Sequence, residues 1–476
     1  MLLDLLTRPG AGRHVEQFSW RWRGPLNPVR FTAAWQSVAD RETVLRAAFD
    51  LGPEPRLVFH DRVRAEVVRH RAGSVDWEEL LERDRLRGFD LRRPGPLRIT
   101  LVDEPVHVAG ALPDCPAGGS GPVTATRVLL TFHHALLDSW SVWVLLEEFC
   151  RAYLTDGVLP GGERRPDIRD WAHWLEAQDP APARDFWTRD RPGGTVLLPA
   201  GPGPDTRESG CGRAERWLSP AEAGRLHRWA AARAVPDSSA LYAVWALLLY
   251  RAAGVGGPAT VCFGVTVPGR GIALDAVERL PGPLRNCLPM TVRVNPAHRV
   301  GQLLTALRDR ALDMAGYEWV SCEQIREWTG RTGEGKLLDS LVALESVPRP
   351  SLVVRAGLDG AGVVFEPVAA GAGAGLVPVS LLGRSGDDGS LTLTVVHDRA
   401  RISDAEADRL VDHCARLLRR LPAAGERAGV ADVLAALDGE EPPRIARRPD
   451  PAHGPARSGS RSIGSRSGVD RNASGP

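Results

Sequence analysis

The stretch Thr131-Phe132-His133-His134-Ala135-Leu136-Leu137-Asp138-Ser139-Trp140-Ser141 decides how the rest of the chain is read. It follows Val128-Leu129-Leu130-Thr131-Phe132, an apolar run of the kind that forms a buried strand. It precedes Val142-Trp143-Val144-Leu145-Leu146-Glu147-Glu148-Phe149, which reads as a helix. Two histidines and an aspartate therefore fall at a strand-to-helix junction, where side chains are held firmly and stay reachable. Adjacent residues of an extended chain point to opposite sides, so one histidine is packed and the other presented. Asp138 has three possible tasks: to orient an imidazole, to cap the helix, or to pair with a distant arginine. A presented histidine can serve as a general base or hold a nucleophile by hydrogen bond. Ser139 and Ser141 lie outside any Gly-x-Ser-x-Gly context, so helix capping is their expected role. No third ligand lies near the two histidines, which argues against a metal site.

Working outward on the N-terminal side, residues 15–23 alternate. Phe18, Trp20 and Trp22 share one face; Gln17, Ser19, Arg21 and Arg23 share the other, as in a half-buried strand. Asn27 is placed to cap a helix whose apolar stripe is Phe31, Trp35 and Val38. Residues 1–7 read as the remnant of a helix. Further elements are expected as a strand near 56–60, a charged helix at 77–87, a strand at 97–102 and a Pro/Gly/Ser-rich loop at 111–121. The helix after His134 runs to about 154, and a Trp-rich helix covers 168–176.

A Gly/Pro-rich shift at 193–212 places a boundary near 177, giving an N-terminal lobe of 1–177 and a C-terminal lobe of 178–438. In the second lobe, helices are expected at 219–232, 238–250, 300–317 (apolar at Leu303, Leu304, Leu307 and Leu312) and 404–421, capped by Ser403. Strands are expected at 260–267, 286–294, 338–345 and 391–396. Residues 352–388 hold at most two weak strands. From about 439 to 476 the chain is Pro, Arg, Ser and Gly with almost no apolar residues, which predicts a disordered tail. Strands alternating irregularly with helices point to an α/β or α+β chain.

The 476 residues suffice for two or three cores. A formal net charge of +1 excludes a global field for nucleic acid or an anionic membrane. Lys336 is the sole lysine, so the positive charge is almost wholly arginine. The seven cysteines form no CxxC pair, which argues against a disulfide or zinc framework and for a reducing, cytoplasmic setting. No apolar run long enough to span a bilayer is present. A monomer is expected.

The segment His133 to Ser141 resembles the HHxxxDxWS form of the HHxxxD signature of condensation domains from nonribosomal peptide synthetases. Other segments resemble that family in its order: Arg41 to Phe49; Phe89-Asp90-Leu91 with Pro96-Leu97-Arg98; Asp170-Trp171 with Trp174; Thr266 to Arg270; Gly282 with Asn286-Cys287-Leu288-Pro289; and Leu338 to Pro348. The resemblance covers roughly residues 1–435.

It implies two chloramphenicol acetyltransferase-like α/β lobes in a V, with a tunnel between them. A donor acyl or peptidyl thioester on the phosphopantetheine of one carrier protein would meet an acceptor amine on another. His134 would be the active-site residue, reaching the tunnel. His133 and Asp138 would be structural, with Asp138 paired to Arg270 across the lobes. Ser139, Trp140, Ser141, Gly282 and Asn286 would be motif or tunnel residues. No cofactor is expected to be bound directly.

Four departures from the family pattern are visible. The chain starts inside the family's opening segment, at Met1-Leu2-Leu3, and His397 stands where an aromatic residue is common. Ser139 replaces the usual glycine, so a left-handed backbone there would be strained. Arg285 replaces an apolar residue. No adenylation or carrier segment follows, which implies a free-standing domain or a fragment. Three activities stay open at this point: amide formation between carrier-bound substrates, transfer to a soluble amine or alcohol, and a silent scaffold that recruits partners.

Overall fold

The computed structural model describes residues 14–52, 56–105, 125–162, 165–189, 192, 200–201, 210–330, 337–345, 350–371, 377–386, 388–425, 427–440 and 445–446. The expected helix remnant at 1–7, the loop at 111–121 and most of the tail lie outside them. Strands of the first half are β1 (Val15–Arg23), β2 (Ala47–Asp50), β3 (Arg56–Phe59), β4 (Glu66–His70), β5 (Leu97–Asp103) and β6 (Ala125–His133). Those that follow are β7 (Ala200–Gly201), β8 (Cys211–Leu218), β9 (Ala259–Val267), β10 (Asn286–Val294) and β11 (Ser340–Glu345). The last are β12 (Val364–Gly371), β13 (Val379–Ser385), β14 (Leu391–Asp398) and β15 (Ile445–Ala446).

Two mixed sheets organise the chain, each covered by helices. The first has the order β12-β1-β6-β5-β4 and the second β10-β9-β11-β13-β14-β8. In the first lobe, alternation along β1 turns Phe18, Trp20 and Trp22 inward, where all three are buried. The helix Pro28–Arg41 is capped by Asn27, whose side chain accepts from the amides of Val29 and Arg30. Its stripe of Phe31, Trp35 and Val38 packs on the helix Ser139–Leu154, with Trp35 stacked on Phe149 at 4.7 Å between ring centroids. In the second lobe the helix Asp237–Ala252 is buried on nearly every side, as its continuous apolar sequence requires.

The sequence division at 177 misses a crossing. After β11 the chain leaves the second sheet, forms the helix Leu352–Gly360, and enters the first sheet as β12, antiparallel to β1. Val354 and Leu358 join the first lobe's core, and Phe365 stacks on Trp20 at 5.3 Å. The chain then returns to the second sheet as β13. Residues 352–371 therefore belong with the first lobe's sheet, and the two lobes are tied at this crossing.

Other differences are local. The short, half-exposed β4 and the helices Pro180–Arg189 and Cys322–Trp328 carry little apolar signal, and the sequence pattern does not predict them. In the helix Val300–Ala315, Leu303, Leu304 and Leu307 are buried, but Leu312 is 65% exposed. Position 312 falls off the 3.6-residue stripe, which continues through Arg310 and Met314 instead. The start of the tail expected from 439 is ordered: Glu440 pairs with His413 and Arg416, and β15 lies parallel to β7; the rest lies outside the described residues. Among the described residues no helix is long and apolar enough to cross a membrane.

Candidate functional site

β6 ends at His133, a turn of five residues follows, and the helix Ser139–Leu154 begins at once. His133 is buried, and its Nδ1 accepts the amide N–H of Ala135 at 3.0 Å. Burial, with His14 and His134 adding like charge when protonated, lowers its pKa from 6.5 to about 4. His133 is thus a neutral brace for the turn.

His134 faces the other way, with its side chain 22% exposed. Its Nδ1 lies 3.0 Å from the carbonyl oxygen of Leu137. A carbonyl has no proton to give, so Nδ1 carries the hydrogen of this contact, and whenever the ring is neutral its lone pair is on Nε2. Glu16 Oε1, from β1, is 3.7 Å from the same Nδ1. Glu16 is not among the residues singled out from the sequence. Its signal is there: on an alternating strand it shares the face of Phe18, Trp20 and Trp22, where a carboxylate is out of place.

Asp138 is fully buried and performs two of its three possible tasks at once. It caps the helix, accepting the Ser141 amide at 2.8 Å and the Ser141 hydroxyl at 2.7 Å. It also receives Arg270 of the second lobe, at 2.8 Å to Oδ2 and 3.2 Å to Oδ1. The amide of Arg285 adds a further bond to Oδ2 at 2.9 Å. Burial alone would raise the Asp138 carboxyl; the charge of Arg270 and the donated hydrogen bonds outweigh it and hold the group below the usual carboxylate range. Asp138 makes no contact with either imidazole among these bonds, so it is a tether rather than a relay.

The neighbouring residues stitch the same seam. Ser141 Oγ accepts the amide of Gly282 at 2.9 Å. A Cβ on Gly282 would come within 2.7 Å of both Ile168 Cδ1 and Leu284 Cδ1, which explains the glycine. Trp140 donates its indole N–H to the carbonyl of Glu278 at 2.7 Å, and Arg270 lies 5.4 Å from its ring centre. Asn286 stands apart from this group. Its amide donates to the carbonyls of Glu318 and Val320, fixing the chain beneath the Arg270 loop.

Ser139 does not cap. Its Oγ accepts Arg285 Nη1 at 2.7 Å, a second bridge between the lobes. The strain expected at Ser139 is absent, because it is not among the residues with positive φ. It occupies the first position of a right-handed helix, which any L-residue adopts.

A cavity of about 970 Å³ opens along this seam. Glu16 and Phe18 of β1, Trp140 and Trp143 of the helix, and Arg285 and Glu345 of the second lobe line it. The sequence pattern presents His134 to the chamber itself. In the structure His134 is not among the residues that line this cavity; Glu16, 3.7 Å from its Nδ1, is.

A two-lobed α/β fold, here with a histidine-bearing turn clamped at the seam, is what the comparisons with known proteins also find. The Condensation domain family model matches residues 123–428, and the chain belongs to that family. A linear gramicidin synthase of Brevibacillus parabrevis is 27% identical over 368 residues, covering 73% of this chain and 7% of that protein. The chain thus spans a small part of that synthetase. The first condensation domain of the calcium-dependent antibiotic synthetase, in complex with a substrate analogue, shares the fold. The TM-score is 0.68 at 18% identity, over 90% of this chain and 96% of that one. The X-domain in complex with OxyB from teicoplanin biosynthesis superposes with a TM-score of 0.65 at 20% identity, over 90% and 93%.

Proposed function

We propose that this chain joins an acyl or peptidyl group, carried as a thioester on the phosphopantetheine of a carrier protein, to an acceptor amine, with His134 at the reacting centre. The amine nitrogen attacks the thioester carbonyl, the C–N bond forms, and the C–S bond breaks. The nitrogen gives up a proton and the departing sulfur takes one. His134 is suited to both transfers, since its Nδ1 hydrogen is committed to Leu137 and its Nε2 carries the lone pair of the neutral ring. That arrangement is the observation on which the reading rests. A thioester is already activated, so alignment of the two ends and control of one proton are what the protein contributes.

The test is incubation of the full chain with a loaded donor carrier and either a loaded acceptor carrier or soluble amines. Intact mass of the products is the readout. A new amide on the acceptor carrier is expected. Product with a soluble amine or alcohol alone would move the assignment to a soluble acceptor, and no product with any pair would overturn the reading. A recruiting scaffold is the competing reading, supported by the X-domain's complex with OxyB on this fold. The retained His133, His134 and Asp138 favour chemistry.

A further inference from the structure

Arg285 differs from Arg270, its neighbour at the seam, in what it touches. Its guanidinium lines the cavity, anchored to two neutral hydroxyls: Ser139 Oγ at 2.7 Å and Thr266 Oγ1 at 3.3 Å. The carboxylate it faces, Glu345, is 3.7 Å away, and the same carboxylate lies 3.5 Å from Arg384. A guanidinium gains most from a carboxylate that meets it at hydrogen-bond distance, two N–H groups to two oxygens. The hydroxyls fix the direction of Arg285, and its ion pair with Glu345 is longer than a hydrogen bond and shared with Arg384. The surrounding wall mixes Phe18, Trp140, Trp143 and Leu344 with charged side chains, among them Glu16, Glu278, Arg279 and Arg384. Arg270 offers no such opportunity, because Asp138 already fills its fork.

We infer that Arg285 makes the cavity select a substrate that carries a carboxylate. The carboxylate comes either from an acidic substituent of the acyl group or from the free acid of an acceptor amine. In both cases it binds Arg285 at the wall, where Glu345 now stands off at 3.7 Å. The inference rests on the reading of this cavity as the meeting place of acyl group and amine.

The experiment is calorimetric titration of the full chain with two matched pairs of probes. One pair is S-succinyl- and S-butanoyl-N-acetylcysteamine; the other is alanine and alaninamide. The acid of one pair is expected to bind at least about tenfold more tightly than its neutral partner, and that pair identifies the source. Arg285→Gln keeps a donor near Ser139 but removes the charge. It should abolish the acid preference, so that the acid and the neutral probe of that pair bind alike. Arg285→Lys keeps the charge and should retain part of the preference, which separates a charge effect from a folding defect. Equal binding of acid and neutral probes by the wild type, a preference that survives Arg285→Gln, or no binding of either acid would overturn the inference. Binding of the neutral thioester without an acid preference would sink the role of Arg285 alone. Failure of both thioesters to bind would count against the acyl-transfer reading as well.

Discussion

Two arginines of the second lobe reach two consecutive residues of the first, and they do so in opposite ways. Arg270 meets Asp138 with both partners almost wholly buried, side chains 4% and 0% exposed, and with the carboxylate further satisfied by Ser141 and the Arg285 amide. Arg285 meets Ser139 at the cavity wall, with its side chain 20% exposed, a hydroxyl as partner and its nearest carboxylate out of hydrogen-bond reach. The first is a closed circuit with nothing left to offer a ligand. The second is oriented by hydroxyls and only loosely paired, with Glu345 at 3.7 Å. Position one residue apart on a helix start thus separates a fastener from a recognition element, and the difference lies in how closely the charge is matched inside the protein.

The largest effect should come from breaking the closed circuit. Asp138→Asn leaves the Arg270 charge buried without its counter-ion and is expected to cost about 3–5 kcal/mol. Denaturant unfolding of wild type and variant measures it. A loss as small as that of an exposed ion pair would mean that the pair is not buried in solution.

The turn also predicts a pH dependence of its own. An unfolded histidine takes its proton near pH 6.5, whereas His133 resists protonation down to about 4. Between those values the unfolded chain binds more protons, so the contribution of His133 is whole above 6.5 and drains as pH falls to about 4. The loss is on the order of 3 kcal/mol. Asp138, held below the ordinary carboxylate range, adds its own loss only at more acid pH. Unfolding curves at pH 7 and 4.5 should therefore diverge in the wild type, and the divergence should shrink in His133→Gln.

A smaller cost, about 1–3 kcal/mol, is expected for Gly282→Ala, since the new methyl must push aside the ends of Ile168 and Leu284 at the same seam. Thermal melting is sufficient to detect it. The smallest change should follow Ser139→Ala, about 0.5–1.5 kcal/mol, because it removes one hydrogen bond on the open side of the comparison. If Ser139→Ala proved as damaging as Asp138→Asn, the distinction between the two arginines would fail.

Much of the first lobe is legible in the sequence because its signals are local. Phe18, Trp20 and Trp22 alternate, Asn27 precedes a helical stripe, and the His133–Asp138 turn follows an apolar strand. The Asp138–Arg270 contact, 132 residues apart, comes from family resemblance and not from any local pattern. The crossing of β12 to β1 is not legible. Its pairing partners lie more than 340 residues away, and its own sequence, rich in Val, Ala and Gly, resembles a loop as much as a strand. Glu16 is hidden for a different reason: strand alternation tells which face it occupies, but only the fold brings that face beside His134. Arg285 is visible as a departure in an otherwise apolar position. Its meaning depends on Ser139, a second departure that sequence order gives no reason to join to it.

The proposed role of His134 is to act on the transferring proton while its neighbours hold the frame. Its most direct test is the rate of amide formation between loaded carriers by His134→Ala, with donor-carrier binding measured alongside. A fall of at least about 100-fold with binding unchanged is expected. Amide formation at the wild-type rate would contradict it.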